Sequence, residues 1–319
     1  MDNERVASFV DSENHNGIPC SLKANEAIPS VTTMLHTEAK YQLIDFGHGR
    51  KLEKVGGLIL NRPCPGAKSP PAGSSLWGQE DLFFDQISGR WRERTPIDFV
   101  KNPWTISTQG LTFKLRPTAA GQIGIFPEHW QHWDWLVSCL GEKRGDLSST
   151  RVLNLFAYTG ATTLLLAQKG VQVTHVDSSK PTVAWARESC HLSGLGSAAI
   201  RWLVEDAVRY VEREVKRGRH YDAIILDPPT YGHGTRDEAW NIYKHLSPLL
   251  TKCWELLSDE PCCVLLSGHS PDIDLKQLAR QLGSQVGRKQ LGANTIMQAG
   301  LEDSFGRLLD CGFACRFEF

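Results

Sequence analysis

The chain has 319 residues, 41% hydrophobic and 22% charged, and 35 Lys and Arg against 36 Asp and Glu leave a formal net charge of -1. An apolar fraction of this size excludes a disordered chain, and the even balance excludes a polybasic binder of the histone kind while permitting a local basic face. Nine cysteines without a CxxC pair, no basic leader followed by an apolar run, and no apolar stretch of membrane-spanning length lead us to expect a cytoplasmic protein with no membrane partner.

In chain order, residues 1–40 are polar without a sustained period and are expected to form a flexible tail. Residues 41–120 carry short apolar or aromatic runs cut by Gly and Pro. Leu43–Phe46, Gly57–Leu60, Trp91–Glu93 and Leu111–Leu115 are the strand candidates, and the Pro/Gly/Ser-rich stretch Arg62–Ser75 reads as a loop. A small β-rich module is expected there. Six of the ten tryptophans fall between Trp77 and Trp135, with Arg90, Arg92, Arg94 and Lys101 among them. Interleaved basic and aromatic residues suit stacking on single-stranded RNA, whereas tryptophans filling a small core would give the same pattern.

From residue 121 the texture becomes strand–helix alternation. A helical pattern over Trp130–Leu140 precedes strand candidates Arg151–Phe156, Val171–Val176, Ile200–Leu203, Asp222–Leu226 and Cys263–Ser267. Helical patterns cover Thr162–Lys169, Pro181–Leu192, Ala207–Lys216, Trp240–Leu257 and Leu275–Leu282. This alternation predicts an α/β fold with a doubly wound parallel sheet over residues 121–319. Such sheets bind ligands beyond the carboxyl ends of their strands, which places the chemistry just after Leu155, Val176, Leu203, Leu226 and Leu266.

The residues at those ends carry the functional reading. Asn154–Gly160 is a turn with one glycine and lacks GxGxxG, so a pyrophosphate cradle and a nicotinamide dehydrogenase are poorly supported. Asp177 could accept from a ribose diol, or Asp177 or Ser178 could cap the following helix. Asp206 could accept from an adenine amino group, or cap a helix in turn. Asp227-Pro-Pro-Thr-Tyr231 is a rigid acidic loop beside an aromatic, suited to hold a planar amine for attack. His233 or His269 could accept a proton there, although histidines in loops and cores are common.

These motifs together resemble class I S-adenosylmethionine-dependent methyltransferases, more narrowly the bacterial large-subunit rRNA methyltransferases of the RlmI/RlmK group. Gly121–Glu128 is similar to that family's segment folding over the cofactor. The resemblance implies a Rossmann-like methyltransferase sheet and S-adenosyl-L-methionine as cofactor. It implies Phe126, Phe156, Ala157, Thr159, Gly160, Asp177, Ser178, Glu205, Asp206 and Asp227 around the cofactor. Asp227, Pro228 and Tyr231 would face the methyl acceptor, and no metal is expected.

The expected activity is methylation of an RNA base, ribosomal RNA foremost. A nitrogen acceptor is preferred to cytosine C5, which needs a cysteine nucleophile. None stands in Asp227–Tyr231, and Cys262 would lie roughly 16 Å along the strand from Ser267. A small-molecule methyltransferase and a non-catalytic S-adenosylmethionine-binding protein are the alternatives. The oligomeric state is left open, with a homodimer one option.

Overall fold

The computed structural model describes residues 41–235, 239–270, 273 and 293–319; the side chains of residues 233, 293 and 294 are outside this set. The expected tail, the Leu275–Leu282 helix and the His233 side chain therefore lie outside the described residues.

Five strands, β1 (Gln42–Gly47), β2 (Arg50–Val55), β3 (Leu58–Pro63), β4 (Leu82–Asp85) and β5 (Arg90–Glu93), form one sheet in chain order. Strand β4 runs parallel to β3, and the other neighbours are antiparallel. A hairpin of β6 (Thr105–Thr108) and β7 (Leu111–Lys114) follows. The expected helix over Trp130–Leu140 is a 3-10 turn, Pro127–His132, running into helix α1 (Trp133–Arg144). Pro127 at its start fixes a helical φ and needs no backbone donor there.

The larger sheet alternates β8 (Arg151–Leu155), α2 (Ala161–Gln168), β9 (Gln172–Asp177), α3 (Lys180–Leu192), β10 (Ile200–Val204), α4 (Ala207–Lys216) and β11 (Ala223–Leu226). A short ribbon of β12 (Tyr231–His233) and β13 (Ala239–Asn241) then leads into α5 (Ile242–Glu255) and β14 (Cys263–Gly268). A long pair closes the chain's course, β15 (Ala293–Glu302) and β16 (Leu308–Glu318). Strand order is β10-β9-β8-β11-β14-β16-β15. The first five are parallel, and β16 is antiparallel to both its neighbours.

Burial explains the central strands. All four residues of β11 and all six of β14 are buried, as continuous apolar runs covered on both faces should be. Chain direction through the order reverses between β8 and β11, which opens a crevice at their carboxyl ends. The β15–β16 pair was not anticipated, because Leu308–Glu318 mixes Asp310, Gly312 and Arg316 into its apolar positions.

The N-terminal strands share a core with this sheet. Trp104, Phe113, Ile123 and Trp133 pack in one buried cluster with Leu164 and Leu165 of α2. The β6–β7 hairpin is tied to α3: Trp185 Nε1 donates to Lys114 O at 2.8 Å, and Lys114 Nζ meets Glu188 at 2.7 Å. At the far side Asp45 accepts from the backbone of Phe46, Ala72, Gly73 and Ser74, from Trp77, and from Arg307 on the β15–β16 side. Burial opposes its charge, yet this donor set holds its carboxyl down at about 2.

The tryptophans of the N-terminal half are structural. None of Trp77, Trp91, Trp104, Trp130, Trp133 and Trp135 is exposed. Trp91 and Trp104 donate to backbone carbonyls, and Trp77 and Trp135 to carboxylates. The core-filling explanation holds, and the basic residues nearby are largely paired: Arg92 with Asp85, Arg94 with Asp81, Lys101 with Asp98. The described cysteines are free. Among the described residues no helix is long and apolar enough to cross a membrane.

Candidate active site

Strand β8 exits through a backbone that side chains resist. Phe156 and Tyr158 both sit at positive φ, 55° and 51°, and Gly160 follows at 81° as the residue preceding α2. Two non-glycine residues in the left-handed region within three positions store strain that the surroundings must hold. The restraint is visible: Tyr158 N donates to Asp177 Oδ2 at 2.9 Å, Ala157 N to Val176 O at 3.1 Å, and the Thr159 hydroxyl to Gly124 O. A Cβ on Gly160 would stand 3.2 Å from that of Ala186.

Asp177, at the end of β9, accepts from the Tyr158 and Ser179 backbones. Burial pushes its carboxyl up, and those two amides pull it back only partly. Ser179, not Asp177 or Ser178, caps α3. Asp206 does cap α4, accepting from Arg209 N at 2.9 Å. Glu205 is paired with Arg213 at 2.8 Å, the main reason its carboxyl is lowered.

Asp227 follows β11, with a hydrogen bond on one oxygen and an imidazole in ion-pair distance of the other. Ser267 of β14 donates to Oδ1 at 2.8 Å, and Nε2 of His129 lies 3.2 Å from Oδ2. Burial opposes the charge, but His129, His269 and Ser267 hold the carboxyl well below the usual range. The loop is fastened behind it: Trp240 Nε1 donates to Pro229 O at 2.6 Å, and the Thr230 and Ser270 hydroxyls meet at 2.7 Å.

These ends surround a cavity of about 270 Å³ walled by Phe126, Phe156, Tyr158, Trp240 and Pro228, with Asp177, Ser178, Glu205, Asp206, Asp227 and His269 on its rim. A narrower recess continues along Phe126, Ala157, Thr159, Gly160, His129 and Ser267. The structure thus brings together every anticipated position except Tyr231. That ring lies outside both linings, 67% exposed, edge-on to Tyr243 with centroids 6.5 Å apart. Trp240, 4.9 Å from Phe156, supplies the inner aromatic wall instead. No described cysteine lines either space.

His129 is the functional neighbour that sequence reasoning missed. The signal was its place directly after Gly121–Glu128, one turn from the cavity wall residue Phe126. Donor atoms of His129, Asp227 and His269 lie within 4.8 Å of one another. Burial disfavours the charged form of His129, but Asp227 raises its pKa to about 9.

The chemistry of this donor set fits S-adenosylmethionine. A half-buried carboxylate lines the cavity at Asp177, with a second acid edge at Glu205–Asp206, the rings of Phe126, Phe156 and Tyr158, and the Asp227 carboxylate, whose charge would favour a sulfonium.

Comparison with known proteins agrees. Residues 83–292 match the S-adenosylmethionine-dependent methyltransferase family. A crystal structure of a SAM-dependent methyltransferase from Agrobacterium tumefaciens superposes with a TM-score of 0.80 at 34% identity, covering 88% of this chain and 91% of that one. A proposed SAM-dependent methyltransferase from Streptococcus mutans shares the fold at 17% identity, with a TM-score of 0.64 over 89% of this chain and 76% of that one. Among curated proteins, ribosomal RNA large subunit methyltransferase K/L of Shewanella frigidimarina is 29% identical over 193 residues, 58% of this chain and 26% of that protein. Its Shewanella baltica counterpart is 30% identical over 151 residues, 47% and 20% respectively. The matched segments span about a quarter or less of those relatives' length. The sheet is that of a Rossmann-like methyltransferase.

Proposed function

The chain belongs to the S-adenosylmethionine-dependent methyltransferase family, and on that premise we propose that it methylates a base nitrogen of RNA, ribosomal RNA foremost, in the cytoplasm. The observation that carries the nitrogen assignment is Asp227 at the cavity edge, hydrogen-bonded by Ser267 and 3.2 Å from His129, with no described thiol beside it. The RNA assignment draws on the curated relatives, whose names specify ribosomal RNA. We read residues 41–120 as a β-rich module and 121–319 as the methyltransferase domain.

When bound, the cofactor supplies a methyl group already activated by its sulfonium, so the protein's task is placement. Asp177 would take the ribose hydroxyls, Glu205 and Asp206 the adenine edge, and Phe126, Phe156, Ala157, Thr159, Gly160 and Ser178 the remaining contacts. Asp227 and the Pro228 carbonyl would accept hydrogen bonds from an amine and so aim its lone pair. Asp227 raises the pKa of His129 and so favours its charged form, which leaves His269, in the cavity lining, as the acceptor of the amine proton in this reading. Tyr231 with Tyr243 would meet the nucleotide flanking the extruded base.

Transfer of labelled methyl from S-adenosylmethionine to ribosomal RNA, followed by nucleoside mass spectrometry, tests this reading. An N-methylated base, lost in Asp227→Ala with its circular dichroism spectrum intact, is expected. 5-Methylcytosine, or transfer confined to small metabolites, would overturn it.

A further inference from the structure

Asp227 has two supports of different origin. Ser267 reaches it from the adjacent strand β14, within the sheet. His129 reaches it from the Pro127–His132 turn, outside the sheet, and the same segment presents Phe126 to the cavity. Resting on the assignment of Asp227 to the methyl acceptor, we propose that His129 is a positioning residue: its imidazole, with Nε2 3.2 Å from Oδ2 of Asp227, holds that oxygen and leaves the carboxylate's outward lone pairs directed at the incoming amine.

The surroundings of His129 are unevenly charged. On its own turn stand Glu128, buried with Oε2 lacking a hydrogen-bond partner, and His132. Asp227 approaches from β11, and His269 follows β14 with its ring centroid 6.3 Å away. Arg316 of β16 is occupied at His132 Nδ1, 2.9 Å away. Phe126 meets the ring edge-on at 6.0 Å. Two carboxylates thus flank a ring whose side chain is only 16% exposed, so burial's penalty on the imidazolium is outweighed.

A carboxylate with only the Ser267 bond could rotate about its Cβ–Cγ axis and would carry a diffuse negative charge toward any donor. With His129 in place, one oxygen faces a cation and the other a hydroxyl, and the plane is set. A misplacement of about 1 Å at such a group costs of order 100-fold in rate. The His129 ring offers two separable things, a polar N–H within 3.2 Å of Oδ2 and a charge. His129→Gln keeps a donor and removes the charge; His129→Ala removes both.

The test is single-turnover methyl transfer to RNA by wild type, His129→Gln, His129→Ala and Asp227→Asn between pH 6 and 10. Rates should fall in the order wild type, Gln, Ala, by roughly 3- to 10-fold per step, with the KM for S-adenosylmethionine changed less than about 3-fold. Wild type should also decline toward the Gln level above about pH 9, and the Gln variant should lack that decline. A His129→Ala enzyme with wild-type rate and an intact alkaline decline, beside a dead Asp227→Asn, would overturn the proposal and leave the Asp227 assignment standing. An active Asp227→Asn would overturn that assignment first. Should His129→Ala not fold, the Gln variant decides, since retention of the alkaline decline there overturns the proposal.

Discussion

Glu53 and Asp227 are both acids paired with basic groups, the first buried in the N-terminal sheet and the second half-buried at the crevice. Glu53 is fully buried between Arg62 on one oxygen and Lys51, 3.1 Å away, and the Tyr41 hydroxyl, 2.9 Å away, on the other. Burial opposes its charge, but Arg62 and Lys51 bring its carboxyl down to about 2. Asp227 keeps 28% of its side chain open to the cavity and is held by a histidine and a serine. An arginine cannot give up its proton under ordinary conditions, whereas a histidine can. The first pair is a permanent fastener, and the second is an adjustable one with spare lone pairs.

The sharpest way to break that contrast is to remove each acid. Glu53→Ala would strand Arg62 and Lys51 in a dry interior and should cost about 3–5 kcal/mol in urea denaturation. Asp227→Asn should lose about 100- to 1,000-fold in turnover while its unfolding midpoint barely moves. Comparable stability losses in both would show that the two pairs do the same job.

Gly124→Ala probes the wall between the two regions. A Cβ there would stand 2.1 Å from the Trp185 ring, on a backbone with φ of 99°. A stability loss of roughly 2 kcal/mol or more is expected, together with weaker S-adenosylmethionine binding by calorimetry, since Gly124 O anchors Thr159.

The pH dependence separates the pairs by sign. Glu53 is lowered on folding, so its contribution is complete above about 4.5 and fades as pH falls toward about 2. His129 is raised on folding, so its contribution is complete below about 6.5 and fades as pH rises through about 9. Thermal melts should show the alkaline loss shrinking in His129→Gln and persisting in variants of the N-terminal sheet. The smallest effect is expected at Arg92→Ala: its side chain is 69% exposed where it pairs with Asp85, and the unfolding midpoint should barely move.

Much of this was legible in sequence because buried parallel strands announce themselves. Val152–Leu155, Val173–Val176 and Ile224–Leu226 are short apolar runs ending at turn residues, and their ends carried Gly160, Asp177 and Asp227 to one crevice, joined by Asp206 after the less buried strand Ile200–Val204. What stayed hidden depends on contacts between distant segments. His129 gains its role only when a turn outside the sheet folds onto β11. The positive φ of Phe156 and Tyr158 is held by bonds from Ala157 N to Val176 O and from Tyr158 N to Asp177, each reaching 19 residues along the chain. Tyr231 adjoins the motif in sequence, yet the β12–β13 ribbon turns it outward.

Strand β16 is made after β15, yet it lies inward of it, against β14. A ribosome delivers β14 with one edge unpaired, and that edge stays bare until Leu308–Glu318 has left the exit tunnel. Ser267, whose register partner on β16 is Ala314, belongs to the waiting strand. Vectorial synthesis therefore leaves the acceptor side of the crevice among the latest parts to settle, and a nascent chain arrested before residue 308 should recruit chaperones through β14.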